Sequence, residues 1–411
     1  GTQGGRTMTV KIHPGKARGR IAAPPSKSMA HRLLICAGLS QGVSTIRGID
    51  LSQDVLATMD CLEAMGAKYH LSNGCVQVEG IDPRKIEEAK TLPCRESGST
   101  LRFFLPLCLL CGKQMTLRGS QSLFARPLSV YQSICKSQGL QYAKSEDHVT
   151  VQGVLQAGEF KIPGNISSQF ISGLLFALPL LEQDSVITIS VPIESRSYIE
   201  LTLEALQEFG VSVIWQTDRS LLIKGNQRYC TANAVVEGDY SNAAFFGALN
   251  ALGGAIKIDG LREDSRQGDR IYQRFFELLC KGMPSVNISD CPDLGPVLFA
   301  LASAKNGGVF TGTGRLRMKE SDRCAVMAEE LRKFGVSITV GEDSVVIYPG
   351  QFHKPQEVLQ GHNDHRVVMA LASILTTCGG TIAGAEAVNK SFPDFFDKLK
   401  QVGIQVETLE P

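Results

Sequence analysis

One pattern recurs six times along the 411 residues, and it constrains the fold more than any other feature. A polar or basic entry leads into an apolar helix, then a Gly-containing turn and a short β-branched strand. A polar link, an amphipathic helix and often a β-hairpin follow. The apolar helices are predicted at 32–39, 100–110, 169–181, 242–252, 294–304 and 366–376, and the strands after them at 44–47, 115–118, 186–191, 255–258, 308–311 and 380–383. The amphipathic helices are predicted at 51–65, 128–137, 197–209, 270–279, 322–334 and 392–402. Hairpins are expected at 69–79 around Asn73-Gly74, at 140–151, 211–223 and 336–348, with a last strand at 404–409. The repeat length, roughly 50–75 residues, exceeds the common solenoid periods.

The first helix of each repeat is apolar nearly all round, as Leu174-Leu175-Phe176-Ala177-Leu178 shows, which means burial on every side. The second helix has apolar residues at helical spacing, such as Leu203, Leu206 and Phe209, and so buries one face. Each repeat should therefore place one helix inside and one outside, with a sheet between or beside them, in an α/β class. The chain is longer than a single core usually supports, so three repeats per lobe are expected. A strand at 9–13 precedes the first repeat and is expected to pair with the C-terminal lobe. The lobes are then 1–22 plus 236–411, and 23–235, with crossings near 20–23 and 235–238 acting as a hinge.

Polar and charged residues collect where the apolar helices begin. In Pro24-Pro25-Ser26-Lys27-Ser28-Met29-Ala30-His31-Arg32, the prolines hold the backbone extended and Ser26 or Ser28 can cap the helix. A helix N-terminus offers unpaired N–H groups and a positive dipole end, and Lys27, Ser28 and Arg32 beside it make an anion cradle. Equivalent starts are Glu96-Ser97-Gly98-Ser99-Thr100-Leu101-Arg102, Asn165-Ile166-Ser167-Ser168-Gln169, Asp239-Tyr240-Ser241-Asn242, Asp290-Cys291-Pro292-Asp293 and His362-Asn363-Asp364-His365-Arg366. Capping alone accounts for the serines and aspartates. It does not account for Lys27, Arg32, Arg102 and Arg366, because a cation is disfavoured at a positive dipole end. The starts are expected to converge on a cleft suited to a polyanion. A second charged set lies in the links: Arg126-Pro127, Ser195-Arg196-Ser197-Tyr198, Arg315 to Arg323, and Asn389-Lys390-Ser391. Arginine suits a bidentate grip on carboxylate and phosphate. Lys319, Glu320 and Arg323 straddle one helix start, where Glu320 stays ionised among cations and can exchange a proton with a lysine.

Net charge is +1, which argues against a strongly basic nucleic-acid surface and makes any anion site local. No apolar run reaches the length of a membrane span. The 12 cysteines are scattered and mostly sit in apolar runs such as Ile35-Cys36-Ala37, as buried free thiols in a reducing cytoplasm would. Neither Cys108 with Cys111 nor His362 with His365 completes a metal-ligand set, so no metal is expected. Gly1 to Thr7 read as a leader before Met8.

Pro25-Ser26-Lys27-Ser28 with Arg32, Ser167-Ser168-Gln169-Phe170, Lys319-Glu320-Ser321-Asp322-Arg323 and Asn363-Asp364-His365-Arg366 together resemble the EPSP synthase (3-phosphoshikimate 1-carboxyvinyltransferase) family, from about Ile12 to the C-terminus. The resemblance implies a two-lobed inside-out α/β barrel of six βαβαββ-like units, three per lobe. It implies a cytoplasmic monomer that joins the small molecules shikimate 3-phosphate and phosphoenolpyruvate without a metal, nucleotide or redox cofactor. It implies lobes that close on the first substrate before the second enters. Residue by residue, it puts Ser28 and Arg32 on the shikimate carboxylate, and Ser167, Ser168, Ser195 and Lys319 on the 3-phosphate. Gln169, Tyr198 and Asp293 would face the ring and hydroxyls. Lys27, Gly98, Arg126, Gln169, Arg323, Arg366 and Lys390 would surround phosphoenolpyruvate. Asp293, Glu320 and Lys27 would move protons, with His365 a neighbour.

The sequence departs from the family pattern at Glu96-Ser97-Gly98-Ser99 and Phe103, where many members carry Asn-Ala-Gly-Thr and a later Pro, and at Arg315, where an Asn is common. These changes bear on sensitivity to the phosphoenolpyruvate mimic glyphosate more than on the reaction. Two alternatives are an enolpyruvyl transferase acting on UDP-N-acetylglucosamine and a non-catalytic anion-binding protein on the same fold. The first is disfavoured by Lys27-Ser28 in place of Lys-Asn and by the lack of a loop Cys before Arg126, and the second by Lys27, Asp293, Glu320 and Lys390 occurring together.

Overall fold

A computed structural model describes residues 7–410, so the expected leader lies, apart from Thr7, outside the described residues. The chain divides into two compact units. A central lobe comprises Pro25–Glu237, and a terminal lobe comprises the chain up to Pro24 together with Gly238 onward.

In the central lobe, three four-stranded sheets share one construction. An entering strand runs parallel to the strand that follows the inner helix, and a hairpin then adds antiparallel to it. Lys90–Pro93 pairs with Met115–Arg118, which pairs with His148–Gln152, which pairs with Gln141–Lys144. Glu159–Pro163, Ser185–Ser190, Ser220–Ile223 and Val213–Trp215 repeat the order. Among the described residues, the first repeat has no entering strand of its own. Asn233–Val235, at the far end of the lobe, runs parallel to Gly42–Arg47 and fills the place, and the hairpin Lys68–Ser72 with Cys75–Gly80 completes the sheet. Asn73 and Gly74, at φ 42° and 73°, turn that hairpin through two left-handed residues, as its right-handed twist requires.

In the terminal lobe, Ser285–Asn287, Gly308–Thr311, Ser344–Ile347 and Ile338–Val340 repeat the central-lobe order. The last sheet borrows the N-terminal strand Thr9–Ile12, which sits between Gly380–Ala383 and Val406–Leu409. Arg18–Ala22 runs parallel to Ala255–Asp259 in a two-stranded sheet.

Sheet residues alternate between buried and exposed, as in Glu159–Pro163, while the inner helices are enclosed. Each lobe thus has helices inside and sheets outside. The inner helices are Lys27–Gly38, Gly98–Phe104, Gln169–Ala177, Tyr240–Ala251, Gly295–Ala304 and His365–Cys378. The last three pack on one another, and Gly98–Phe104 packs on Gln169–Ala177. Two end earlier than expected, because Pro106 and Pro179 lack an N–H and turn the chain into 3₁₀ segments at Pro106–Leu109 and Leu178–Leu180. The first starts earlier than expected. Ser26 is extended and accepts from the Met29 N–H at 3.2 Å, so Ser26 is the cap and Lys27 and Ser28 lie in the first turn.

Candidate active site

In the central lobe the residues at the helix starts are held by one another. Arg32 is 2% exposed, yet every partner of its guanidinium is a neutral oxygen. Nε donates to Thr202 Oγ1 at 2.8 Å, and the terminal nitrogens donate to the Ser28 carbonyl at 2.8 Å and the Tyr198 carbonyl at 3.3 Å. Its guanidinium carbon also lies 5.1 Å from the Phe103 ring centroid. Burial lowers its pKa to about 10, still far above neutral, so a full positive charge sits here with no counter-ion among the described residues. Lys27 is paired with Asp54 at 2.9 Å. Burial raises the Asp54 pKa, but Lys27, His31 and Arg126 outweigh it and hold the carboxyl below its usual range.

The second inner helix brings Gly98 against Arg126. A Cβ on Gly98 would stand 2.8 Å from an Arg126 terminal nitrogen, so only glycine allows this approach. Gln169 is oriented at both ends of its amide: its Oε1 accepts from Arg102 at 2.8 Å and its Nε2 donates to Ser99 Oγ at 2.9 Å. The Ser167 hydroxyl accepts from the Gln169 N–H at 3.2 Å, while Ser168 makes no side-chain cap. Ser195, left-handed at φ 57°, starts the helix Arg196–Glu208 that carries Tyr198. A buried chain of side chains ties the helix starts together. His31 Nδ1 meets Thr58 Oγ1 at 2.6 Å, Thr58 meets Thr100 Oγ1 at 2.9 Å, and Thr100 donates to the Ser97 hydroxyl at 2.7 Å.

In the terminal lobe the site is a knot of charge around Arg323, whose side chain is 1% exposed. Arg323 donates to Asp364 at 2.9 and 3.2 Å, to Asp293 at 3.2 Å and to Glu320 at 2.6 Å. Lys319 and Arg366 approach Asp293 at 3.9 and 3.7 Å. Burial would raise the Asp293 pKa, but Arg366, Lys319 and Arg323 hold it well below the usual carboxylate range. Burial lowers the Lys319 pKa, and Asp293 opposes that shift. Asp364 accepts from Ser321 Oγ at 2.7 Å and from the Arg366 N–H at 3.0 Å. Lys390, exposed, donates to the Asn363 carbonyl. The two histidines considered for a metal face different ways: His362 Nε2 meets Glu330 at 2.8 Å, and His365 Nδ1 is buried with no hydrogen-bond partner among the described residues.

A sequence model of EPSP synthase (3-phosphoshikimate 1-carboxyvinyltransferase) matches residues 12–399. The chain belongs to the EPSP synthase family. The 3-phosphoshikimate 1-carboxyvinyltransferase of Clostridium botulinum (strain Alaska E43 / Type E3) is 41% identical, over 96% of this chain and 97% of its own length. That of Clostridium kluyveri is 39% identical, over 97% of this chain and 98% of its own. The solved EPSP synthase of Acinetobacter baumannii superimposes with a TM-score of 0.83 over 98% of this chain and all of that one, at 23% identity.

Against the residues expected from the family motifs, the structure gathers Ser28, Arg32 and Tyr198 about one guanidinium, Gly98 with Arg126, and Asp293, Lys319, Glu320, Arg323 and Arg366 in one ionic group. In the central lobe Lys27 has its own partner, Asp54, and in the terminal lobe Lys390 bonds the Asn363 carbonyl. Sequence reasoning missed Asp54, Arg102 as a fixer of Gln169, Thr202 and Asp364. Asp54 follows the cap Ser52 and reads as an ordinary acid in a first helical turn; its only other signal is that it belongs to the same repeat as Lys27. Asp364 reads as a cap and is one, but its carboxylate also carries Arg323.

Proposed function

We propose that this chain transfers the enolpyruvyl group of phosphoenolpyruvate to the 5-hydroxyl of shikimate 3-phosphate, giving 5-enolpyruvylshikimate 3-phosphate and phosphate. The observation that carries the reading is Asp293, one carboxylate held ionised within 3.2–3.9 Å of Arg323, Arg366 and Lys319 in a chain that matches the family over residues 12–399. Two polyanionic reactants repel each other unless cations surround them, and such cations also stabilise the departing phosphate. Arg32, charged and bonded to neutral oxygens, is assigned with Ser28 to the shikimate carboxylate. Ser167, Ser168, Ser195 and Lys319 are assigned to the 3-phosphate, and Gln169, Tyr198 and Asp293 to the ring and hydroxyls. Lys27, Gly98, Arg126, Gln169, Arg323, Arg366 and Lys390 are assigned to phosphoenolpyruvate.

The 5-hydroxyl gives its proton to Asp293 as its oxygen bonds to C2, while C3 gains a proton from Lys27 or Glu320. The tetrahedral intermediate then loses phosphate, and a C3 proton returns to the same pair. In the free protein Asp293 is a weak base, because three cations hold its charge. Incoming phosphate and carboxylate groups draw on those same cations, so Asp293 gains basicity only with substrates bound. Arg323, through its bonds to Asp293 and Glu320, also holds both acids in place. The reading carries with it a cytoplasmic monomer acting on two small molecules.

Phosphate release tests it. Release is expected with shikimate 3-phosphate plus phosphoenolpyruvate, and none with UDP-N-acetylglucosamine plus phosphoenolpyruvate. Release with the UDP-sugar alone, or with neither acceptor, would overturn it.

A further inference from the structure

The helix Arg323–Arg332 grips one short run of chain, Gln360 to Asp364, at two points. At its start Arg323 holds Asp364. Two turns later Glu330, fully buried, accepts from the Gln360 N–H at 2.8 Å and the Lys333 ammonium at 2.7 Å on one oxygen, and meets His362 Nε2 at 2.8 Å with the other. A carboxylate only accepts, so His362 Nε2 carries the proton.

Between these grips, His362 and Asn363 are both left-handed, at φ 53° and 55°. Two consecutive non-glycine residues in that region cost energy and persist only where the surroundings hold them. Relaxing His362 to a right-handed or extended backbone would turn the next peptide and carry the Asn363 carbonyl away from the Lys390 ammonium it accepts from. Glu329, Glu330 and His362 stand close enough to share a cation, but both Glu330 oxygens are already engaged by hydrogen bonds, as suits a clamp.

We propose that Glu330 is a positioning residue for Lys390: by fixing the left-handed turn at His362 and Asn363, it presents the carbonyl that orients the lysine. This rests on the assignment of Lys390 to phosphoenolpyruvate made above. The test uses the full chain and the variants Glu330→Ala, Glu330→Gln, Lys390→Met and Glu330→Ala/Lys390→Met. Glu330→Gln keeps an acceptor for the Gln360 N–H and so protects the fold. Amide hydrogen exchange across 358–366 should quicken in both Glu330 variants while 324–329 stays protected. In steady-state assays, Glu330→Ala should raise KM for phosphoenolpyruvate about tenfold, with KM for shikimate 3-phosphate within about twofold and Glu330→Gln in between. The double variant should be no worse than Lys390→Met, because the glutamate acts through the lysine. Unchanged exchange in both folded variants, or KM losses that multiply in the double variant, would overturn the proposal. If Lys390→Met leaves KM for phosphoenolpyruvate untouched, the assignment of Lys390 falls and this proposal with it. If Lys390→Met impairs that KM and the Glu330 variants do not, this proposal alone falls.

Discussion

Lowering the pH from 7 to 5 should destabilise the central lobe by about 2 kcal/mol, through His31. His31 is 2% exposed, and burial, assisted by Lys27 and Arg32 against the opposing Asp54, lowers its pKa to about 3. In the unfolded chain its pKa is about 6.5. A folded value below the unfolded one means the native state disfavours the proton. The stability is therefore fully present above the unfolded pKa and is lost as pH falls toward the folded one. Between pH 7 and 5 the unfolded imidazole goes from about a quarter protonated to nearly fully protonated while the folded one stays neutral, and integrating that difference gives the 2 kcal/mol. Asp54, held low by Lys27, acts in the same direction, but only below about pH 5. Buried Cys36, Cys61 and Cys108, whose pKa values burial raises, keep their protons at both pH values.

The chain's single tryptophan, Trp215, lies in the same lobe, stacked under Arg196 at 3.9 Å, and reports its unfolding by fluorescence in urea. His31→Asn should abolish most of the pH 7-to-5 loss. An equal loss in wild type and variant, or none in wild type, would refute a buried neutral His31. The terminal lobe gives a less clean experiment. His365 is also lowered to about 3, by burial and then Arg366, but Asp269 is raised well above its ordinary value by burial and by Asp293. Asp269 therefore gains stability as pH falls and offsets the histidine.

Three further outcomes are expected. Asp293→Asn should lower kcat by roughly 10²–10⁴-fold, the usual range for a lost proton-transfer group, and should leave shikimate 3-phosphate affinity unchanged or tighter, since Lys319 and Arg366 lose a competing anion; equal losses in kcat and affinity, compared by single-turnover kinetics and calorimetry, would count against a base. Gly98→Ala should displace the exposed end of Arg126 and raise KM for phosphoenolpyruvate on the order of tenfold, about the loss of one charge-assisted hydrogen bond, with the melting temperature unmoved; a lowered melting temperature with normal KM would point to packing instead. Thr58→Val should cost about 1–3 kcal/mol in urea unfolding by leaving His31 Nδ1 unpaired and Thr100 Oγ1 with only its bond to Ser97, whereas Thr58→Ser should cost far less; equal costs would show that the hydroxyl chain contributes nothing.

The repeat was legible because its signals are local. The strands 115–118, 308–311 and 380–383 coincide with Met115–Arg118, Gly308–Thr311 and Gly380–Ala383, since a short β-branched run between a glycine turn and a polar link has few other readings. Helix ends were less legible. Ser26 caps the first inner helix one residue before Lys27, but the proline pair before it and the apolar run after it both pull the expected start toward Arg32. The entering strand of the first repeat could not be read at all. It is Asn233–Val235, nearly two hundred residues from the strand it joins, and its identity depends on where the chain leaves the lobe.

Cations at helix starts were the most visible part of the candidate site, because a lysine or arginine there contradicts the dipole and so demands a reason. The carboxylates that answer them were hidden for the converse reason: Asp54 and Asp364 sit where the dipole welcomes an acid, and they pass as caps or first-turn residues. The two sets cannot be separated in the folded protein. Remove Asp364, and Arg323, 1% exposed, keeps its charge with one fewer buried partner. Restoring balance there would pull on Asp293 and Glu320, the two acids assigned to move protons. A motif search weights the conspicuous cations, but the basicity available to the reaction is set by how many of them each quiet carboxylate has already neutralised.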